Sequence, residues 1–420
     1  MAKLLDAPTA HSPDGPPAGI AARRPARIGV LMPAGRVIDH DKVVTHTFGQ
    51  PDRATTLFTN IGDCFVYESS LRILDFAELV PIYASEGQPP TDEYVEKVNG
   101  LDFLFLRGSN YINTSGKWDP ISALIERTKV PVMAFGIGVQ TPDNAETYVN
   151  ESTERFLKLV ADRSTSLAVR GTLSVKALKS IGIDNVRVIG CPTVFRHRQP
   201  TIRVNRVAAA DIAELGFTLR RKTFGFQTLQ RYLMRTLSEQ HRMTIFCAGE
   251  LEEKAIHYAE QRLVAAPEAT MAAAVDTLVR ESWLYGADDP LLALYRESLA
   301  VFESVQAFEA GLKTMDAVTG FRLHGNLLAL ANGVPALYVT YDTRTREFVQ
   351  TLGIPSVDAK QMDRFSFREA WEKADFATFE RAYVRRFGEL KAFLEENGMP
   401  HRLAVAPKAA APKRALVAAE

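Results

Sequence analysis

Short apolar runs rich in β-branched and aromatic residues alternate along this chain with longer stretches whose apolar positions recur at helical spacing. The first run, 27–32 (RIGVLM), predicts a buried strand, and 64–77 then places Phe65, Leu71, Leu74 and Ala77 on one helical face. The alternation continues with strands predicted at 79–83, 103–106, 130–135, 166–169 and 186–189, and helices at 92–99, 121–128, 153–161 and 173–181. A polar, basic stretch at 196–206 reads as a linker. Beyond it strands are predicted at 223–227, 243–248, 299–302, 317–319 and 335–341, with helices at 229–239, 251–263, 305–314, 326–331 and 345–352. An alanine-rich segment at 264–290 interrupts this second block as a partly helical insertion. The charged, helical stretch 366–396 is expected to pack back across the first block.

Apolar strands alternating with amphipathic helices are the pattern of parallel sheets joined by crossover helices. The expected fold is therefore α/β: two Rossmann-like halves, 27–196 and 207–400, with a cleft between them and a helical C-terminal segment. Segments 1–26 and 403–420 are rich in alanine and proline without a periodic apolar face, and read as disordered tails.

Composition narrows the function classes. The 420 residues carry 50 Lys+Arg and 50 Asp+Glu, a formal net charge of zero. No bulk field draws such a chain to nucleic acid or to an anionic membrane, so any anion recognition has to come from a local pocket. No run approaches the ~18 apolar residues of a membrane span, and 1–26 lacks the apolar core of a secretory signal. Cys64, Cys191 and Cys247 are widely separated and have no metal-type spacing, which points to a reducing, cytoplasmic setting.

In open parallel sheets, ligands bind beyond the carboxyl ends of the strands, where helix N-termini present unpaired N–H groups. The residues just after the predicted strands are Arg107-Gly108-Ser109-Asn110, Gly136-Ile137-Gly138, Arg170 ahead of Gly171, and Gly320-Phe321-Arg322-Leu323-His324-Gly325-Asn326. Gly136 and Gly138 lack the third glycine of a dinucleotide fingerprint, and on spacing alone they mark a tight turn. Arg170 has a plain alternative as a sheet-edge residue. Arg322-x-His324 is the stronger signal, because strand alternation would put both side chains on one side. His40, Asp41 and His46 read as solvated loop residues ahead of metal ligands, and Asp288-Asp289 before Pro290 as turn chemistry. Arginines around an imidazole suit a small anionic substrate. An arginine about 4 Å from a phosphate or carboxylate gains about 4 kcal/mol at an effective dielectric near 20, before desolvation. Histidine is the side chain best poised for proton transfer near neutrality.

The stretch 317–355 (AVTGFRLHGNLLALANGVPALYVTYDTRTREFVQTLGIP) resembles the signature region of the polysaccharide pyruvyl transferase family. That region has an R-x-H-G turn, an alanine-bearing helix, a G-x-P strand entry, then a tyrosine, a basic residue, an aromatic and L-G. Asn60-Ile61-Gly62-Asp63 resembles the family's N-x-G-D turn, 101–110 its strand leading to a glycine-rich turn, and Ala168-Val169-Arg170 its central V-R, with Gly182 downstream. Gly108-Ser109-Asn110 stands where the family has three glycines, and Arg344 where lysine is common.

The resemblance implies a GT-B-like shape and an enzyme of exopolysaccharide biosynthesis. It would move the pyruvyl unit of phosphoenolpyruvate onto two hydroxyls of a sugar as a cyclic ketal. Arg170, Arg322 and His324 match the positions implicated in activity. Asp63, Gly108, Ser109, Asn110, Gly136, Gly138, Asn326 and Arg344 are the implied substrate contacts. The implied partners are phosphoenolpyruvate and a sugar or lipid-linked saccharide, the latter met peripherally at a membrane. No nucleic acid, metal or cofactor is implied. Two alternatives remain: a GT-B-type glycosyltransferase using a nucleotide sugar, with Glu250 or Glu303 as its acidic residue, and a non-catalytic scaffold in polysaccharide assembly.

Overall fold

The computed structural model describes residues 24–31, 60–84, 87–140, 148–223, 225–362 and 365–404, together with the backbone of 35–39 and 42–45. The strands fall where apolar side chains must be covered on both faces. The chain contributes β1 (Ala26–Leu31), a short antiparallel hairpin of β2 (Gly35–Asp39) and β3 (Lys42–Thr45), then β4 (Phe76–Ile82), β5 (Phe103–Leu106), β6 (Val132–Ile137), β7 (Leu167–Val169) and β8 (Val186–Val188). β1 and β4 to β8 form one parallel sheet in the order β4-β1-β5-β6-β7-β8. All residues of β6 are buried, as are Leu104, Phe105 and Leu106 of β5, which is why these strands read as unbroken apolar runs.

A second parallel sheet follows, built from β9 (Glu214–Thr218), β10 (Arg242–Cys247), β11 (Leu299–Val301), β12 (Ala317–Gly320), β13 (Ala336–Thr340) and β14 (Ser356–Asp358), in the order β11-β10-β9-β12-β13-β14. The fold is thus α/β with two Rossmann-like sheets. In each, the chain starts in the interior, runs out to one edge and then crosses to the other side. The reversal leaves a crevice between β1 and β5 in the first sheet and between β9 and β12 in the second, the places where such folds bind ligands.

The C-terminal helix Phe376–Glu396 returns from the second sheet to the first, as its charged, helical pattern suggested. It lies on β7 and β8, with Phe393 5.9 Å from Phe135 between ring centres and Arg187 paired to Glu389 (2.9 Å) and Glu396 (2.6 Å). The 264–290 segment is integrated into the second half. Helix Pro267–Arg280 packs on helix Leu251–Glu260, the indole of Trp283 donates to the Tyr295 hydroxyl at 2.9 Å, and Asp289 caps helix Pro290–Ser298.

One expectation needs correction. Residues 223–227 are no strand: Gly225 turns there with φ 96°, and helix Gln227–Ser238 begins immediately after. The central strand of the second sheet is β9, upstream. Its Gly216 breaks the apolar run because a Cβ there would press on Phe246 and Val318, each 3.1 Å away. The 196–206 linker begins in the buried interior. Arg196 is 0% exposed; its Nε and Nη2 donate as a bidentate pair to Glu309 (3.0 and 2.9 Å), Nη2 also donates to Glu68 (2.8 Å), and Nη1 donates to the Ser69 hydroxyl (3.1 Å). Most of the two expected tails, and His40, Asp41 and His46, lie outside the described residues.

Candidate active site

The turn after β12 is built by close backbone approach. Gly320, at φ 127°, sits against the Thr218 backbone where any Cβ would collide, and the N–H groups of Phe321 and Arg322 both donate to the Thr218 carbonyl (2.9 and 3.1 Å). Arg322 is consequently the residue before helix Leu323–Ala331, and His324 lies in that helix's first turn. A tight turn and a helix start, in place of the expected strand alternation, carry both side chains toward the first half. Asn326 braces the turn from inside: its amide donates to the Thr218 hydroxyl (2.7 Å) and the Arg322 carbonyl (3.0 Å), and it is 1% exposed. Its amide nitrogen is therefore spent on the fold, while its Oδ1 is buried without a hydrogen-bond partner among the described residues.

Arg170, at the tip of β7, comes from the first half. Its Nε donates to the Gly136 carbonyl at 3.0 Å, its Nη1 bonds the Asn110 side chain, and its guanidinium lies 5.2 Å from the centre of the Phe348 ring. The glycines around it shape this seat. Gly136 turns at φ 78°, a Cβ on Gly138 would collide with the Arg170 side chain, and Gly108 is pressed against the Phe135 carbonyl. Ser109 contributes its carbonyl to the Gly138 N–H at 3.0 Å. Arg107 is also buried, with Nη1 3.8 Å from Asp63 in the first turn of helix Ile61–Ile73.

That helix start joins the halves. The Ile61 N–H donates to the Ala248 carbonyl of the second half at 2.7 Å, and a Cβ on Gly62 would stand 3.2 Å from His324 Nδ1. His324 Nε2 is buried and has no hydrogen-bond partner among the described residues. Burial, then the charges of Arg170, Arg344, Arg322 and Arg107, hold the imidazole pKa well below the usual histidine value. The ring is neutral near pH 7. Arg344 reaches the Tyr341 hydroxyl (3.3 Å) and Asp342 (3.5 Å). Burial lowers the Arg170 pKa to about 10.

Two residues of this cluster escape the strand-tip reading as donor-site groups. Glu250, at the tip of β10, pairs with Arg322 and stands 3.9 Å from Arg220, which follows β9. Arg220 was missed because β9 itself was missed. Arg107, Arg170, Arg322 and Arg344 thus gather around one imidazole, with Arg220 beside Arg322 and with Asp63, Glu250 and Asp342 as the near carboxylates. Glu347, also close, is turned to the start of helix Thr172–Lys179, where it accepts from the Ser174 N–H at 2.7 Å.

A family model described as polysaccharide pyruvyl transferase matches residues 60–343, which include every side chain of the cluster except Arg344. The chain belongs to the polysaccharide pyruvyl transferase family. Its class of chemistry is therefore that of a transferase acting in polysaccharide modification. Curated protein sequences give no significant match. Among solved structures, the chain is similar to the S. aureus MnaA–UDP structure, at 13% identity over 86% of this chain and 90% of that one, with a TM-score of 0.39. It is also similar to the calicheamicin glycosyltransferase CalG4, at 13% identity over 89% and 99%, with a TM-score of 0.36. Likeness at this level carries no functional information. For this pyruvyl transferase family member, no helix among the described residues is long and apolar enough to cross a membrane, and no group of three or more His, Cys, Asp or Glu side chains there could hold a metal ion.

Proposed function

We propose that this chain transfers the pyruvyl group of phosphoenolpyruvate to two hydroxyls of a sugar in a polysaccharide or its precursor, as a ketal. The observation that carries the reading is the neutral His324 imidazole, its Nε2 unpartnered, among arginines contributed by both sheets. The donor has a carboxylate and a phosphate, and guanidinium groups can fork onto each. In the reaction the donor's central carbon forms bonds to both sugar oxygens while its C–O bond to phosphate breaks; of the two hydroxyl protons released, one ends on the donor's methylene carbon and the other leaves with the phosphate. A neutral imidazole suits the removal of a hydroxyl proton, so His324 takes the role of base to the attacking hydroxyl. Arg170 and Arg322 hold the donor anion, and Arg344 supports them. The donor's negative charge offsets the guanidinium field, so its arrival raises the proton affinity of His324 as the base comes into use.

The test is release of inorganic phosphate from phosphoenolpyruvate against a panel of lipid-linked and nucleotide-activated sugars. Release that depends on one acceptor class supports the reading; donor-independent sugar transfer from a nucleotide sugar refutes it. Arg322→Ala should raise the donor concentration needed for half-maximal rate by about tenfold or more, since a charge-assisted hydrogen bond is lost. If only acceptor saturation moves, the assigned roles are wrong. Gly138→Ala should push Arg170 off its seat and lower kcat/KM by about a hundredfold with secondary structure unchanged, because small misplacements of a binding group are costly. Unaltered kinetics would show that the Arg170 position is unimportant.

A further inference from the structure

Glu250 occupies the Nη2 end of Arg322. Its side chain is only 5% exposed; Oε1 pairs with Arg322 Nη2 and stands 3.9 Å from Arg220 Nη1, and Oε2 accepts from the Gly249 N–H at 3.1 Å. The Arg322 side chain has a separate anchor, with Nε donating to the Leu219 carbonyl at 3.3 Å. Gly249 lets the elements close here: a Cβ would stand 3.2 Å from Arg322 Nη2 and 3.1 Å from the Asn60 Cα of the other half. Two arginines thus share one buried carboxylate on a short strand-tip turn.

We propose that Glu250 is a positioning and specificity-determining residue: an internal counter-anion that holds Arg322 ready in the empty site and yields its place, swinging toward Arg220, to an incoming dianion. The proposal rests on the reading above only for the identity of that dianion. Leaving a buried guanidinium without a counter-charge is costly, which explains why an anion is built into the fold at this point. A monoanionic carboxylate that replaces Glu250 merely exchanges one carboxylate for another. A phosphate brings a second charge and more acceptor oxygens, and it wins the exchange. Discrimination against monoanions then comes from the competition and not only from the contacts made to the bound donor.

The experiment compares the full-length protein with E250Q by calorimetric titration of inorganic phosphate and of acetate, and by melting temperature across phosphate concentrations. In E250Q the phosphate dissociation constant should fall by about tenfold, because a competing charge at the pair is gone. Acetate binding should become measurable, and the melting temperature should rise more steeply with phosphate than in the unsubstituted protein. Phosphate affinity unchanged or weakened in E250Q would overturn the proposal, since Glu250 would then only orient Arg322. If E250Q is unfolded in anion-free buffer, phosphate must restore it, and failure to do so also overturns the proposal. Tighter phosphate binding by E250Q with no phosphoenolpyruvate binding to either protein would uphold the role of Glu250 and refute the donor assignment.

Discussion

Replacing His324 by alanine should lower turnover by about two to four orders of magnitude, the usual contribution of a positioned acid–base group. The loss in donor affinity should be small, because the arginines that hold the anion remain. The argument is geometric first. Nε2 is buried and unpartnered, while the helix start at Gly62 closes against the Nδ1 side of the ring. Desolvation and four guanidinium charges then keep the ring neutral. Two pH effects follow. The acid limb of kcat/KM should lie below the ordinary histidine value of about 6.5 and vanish in the variant. Because the folded-state pKa is depressed, the unfolded chain takes up the proton first as pH falls. The contribution of His324 to stability is thus present above about pH 6.5 and lost below it. A variant with unchanged turnover, or an acid limb at or above 6.5, would refute the assignment.

The largest stability effect is expected at Arg196. Arg196→Ala removes the counter-charge that the buried Glu68 and Glu309 share, leaving Glu68 to Arg72 (3.0 Å) and Glu309 to Lys313 (3.7 Å), and breaking such a buried arrangement costs up to about 3–5 kcal/mol. Glu68 sits on the first half's helix Ile61–Ile73 and Glu309 on the second half's helix Val305–Leu312, so the arginine also ties the two sheets together. The same Ile61–Ile73 helix starts against His324, which links this tie to the geometry of the active site. Denaturant unfolding should show the loss, and Glu68→Gln with Arg196→Met should recover part of it. A loss under about 1 kcal/mol, the scale of an exposed ion pair, would mean the network is far more hydrated than its burial indicates.

Much of this site could be read from strand tips alone. Arg170, Arg322, His324 and Arg344 each follow a strand whose apolar run is unmistakable, and the parallel fold brings such residues together whatever lies between them. Arg220 obeys the same rule but follows β9, where Glu214 and Gly216 disguise the strand. Gly216 is required by packing against neighbouring strands, which a single sequence does not display. Asn326 shows a different limit. Its amide nitrogen braces its own turn while its Oδ1 stays without a partner among the described residues, a division that spacing in the sequence does not display. The burial of Arg196 at the head of the linker was not legible, because its partners lie 128 and 113 residues away in the chain. Glu250 was visible only as a candidate acid for nucleotide-sugar chemistry, since its pairing with Arg322 is a contact between neighbouring turns of the folded sheet.

Titration calorimetry of phosphoenolpyruvate binding in two buffers of different ionisation enthalpy, near pH 7.5, tests the central claim most directly. The account predicts binding at the arginine cluster that leaves His324 unprotonated, so His324→Asn alters the proton linkage little, and binding that is lost in an Arg170→Met, Arg322→Met double variant. Phosphoenolpyruvate that does not bind, or binds equally well without those two arginines, would contradict it.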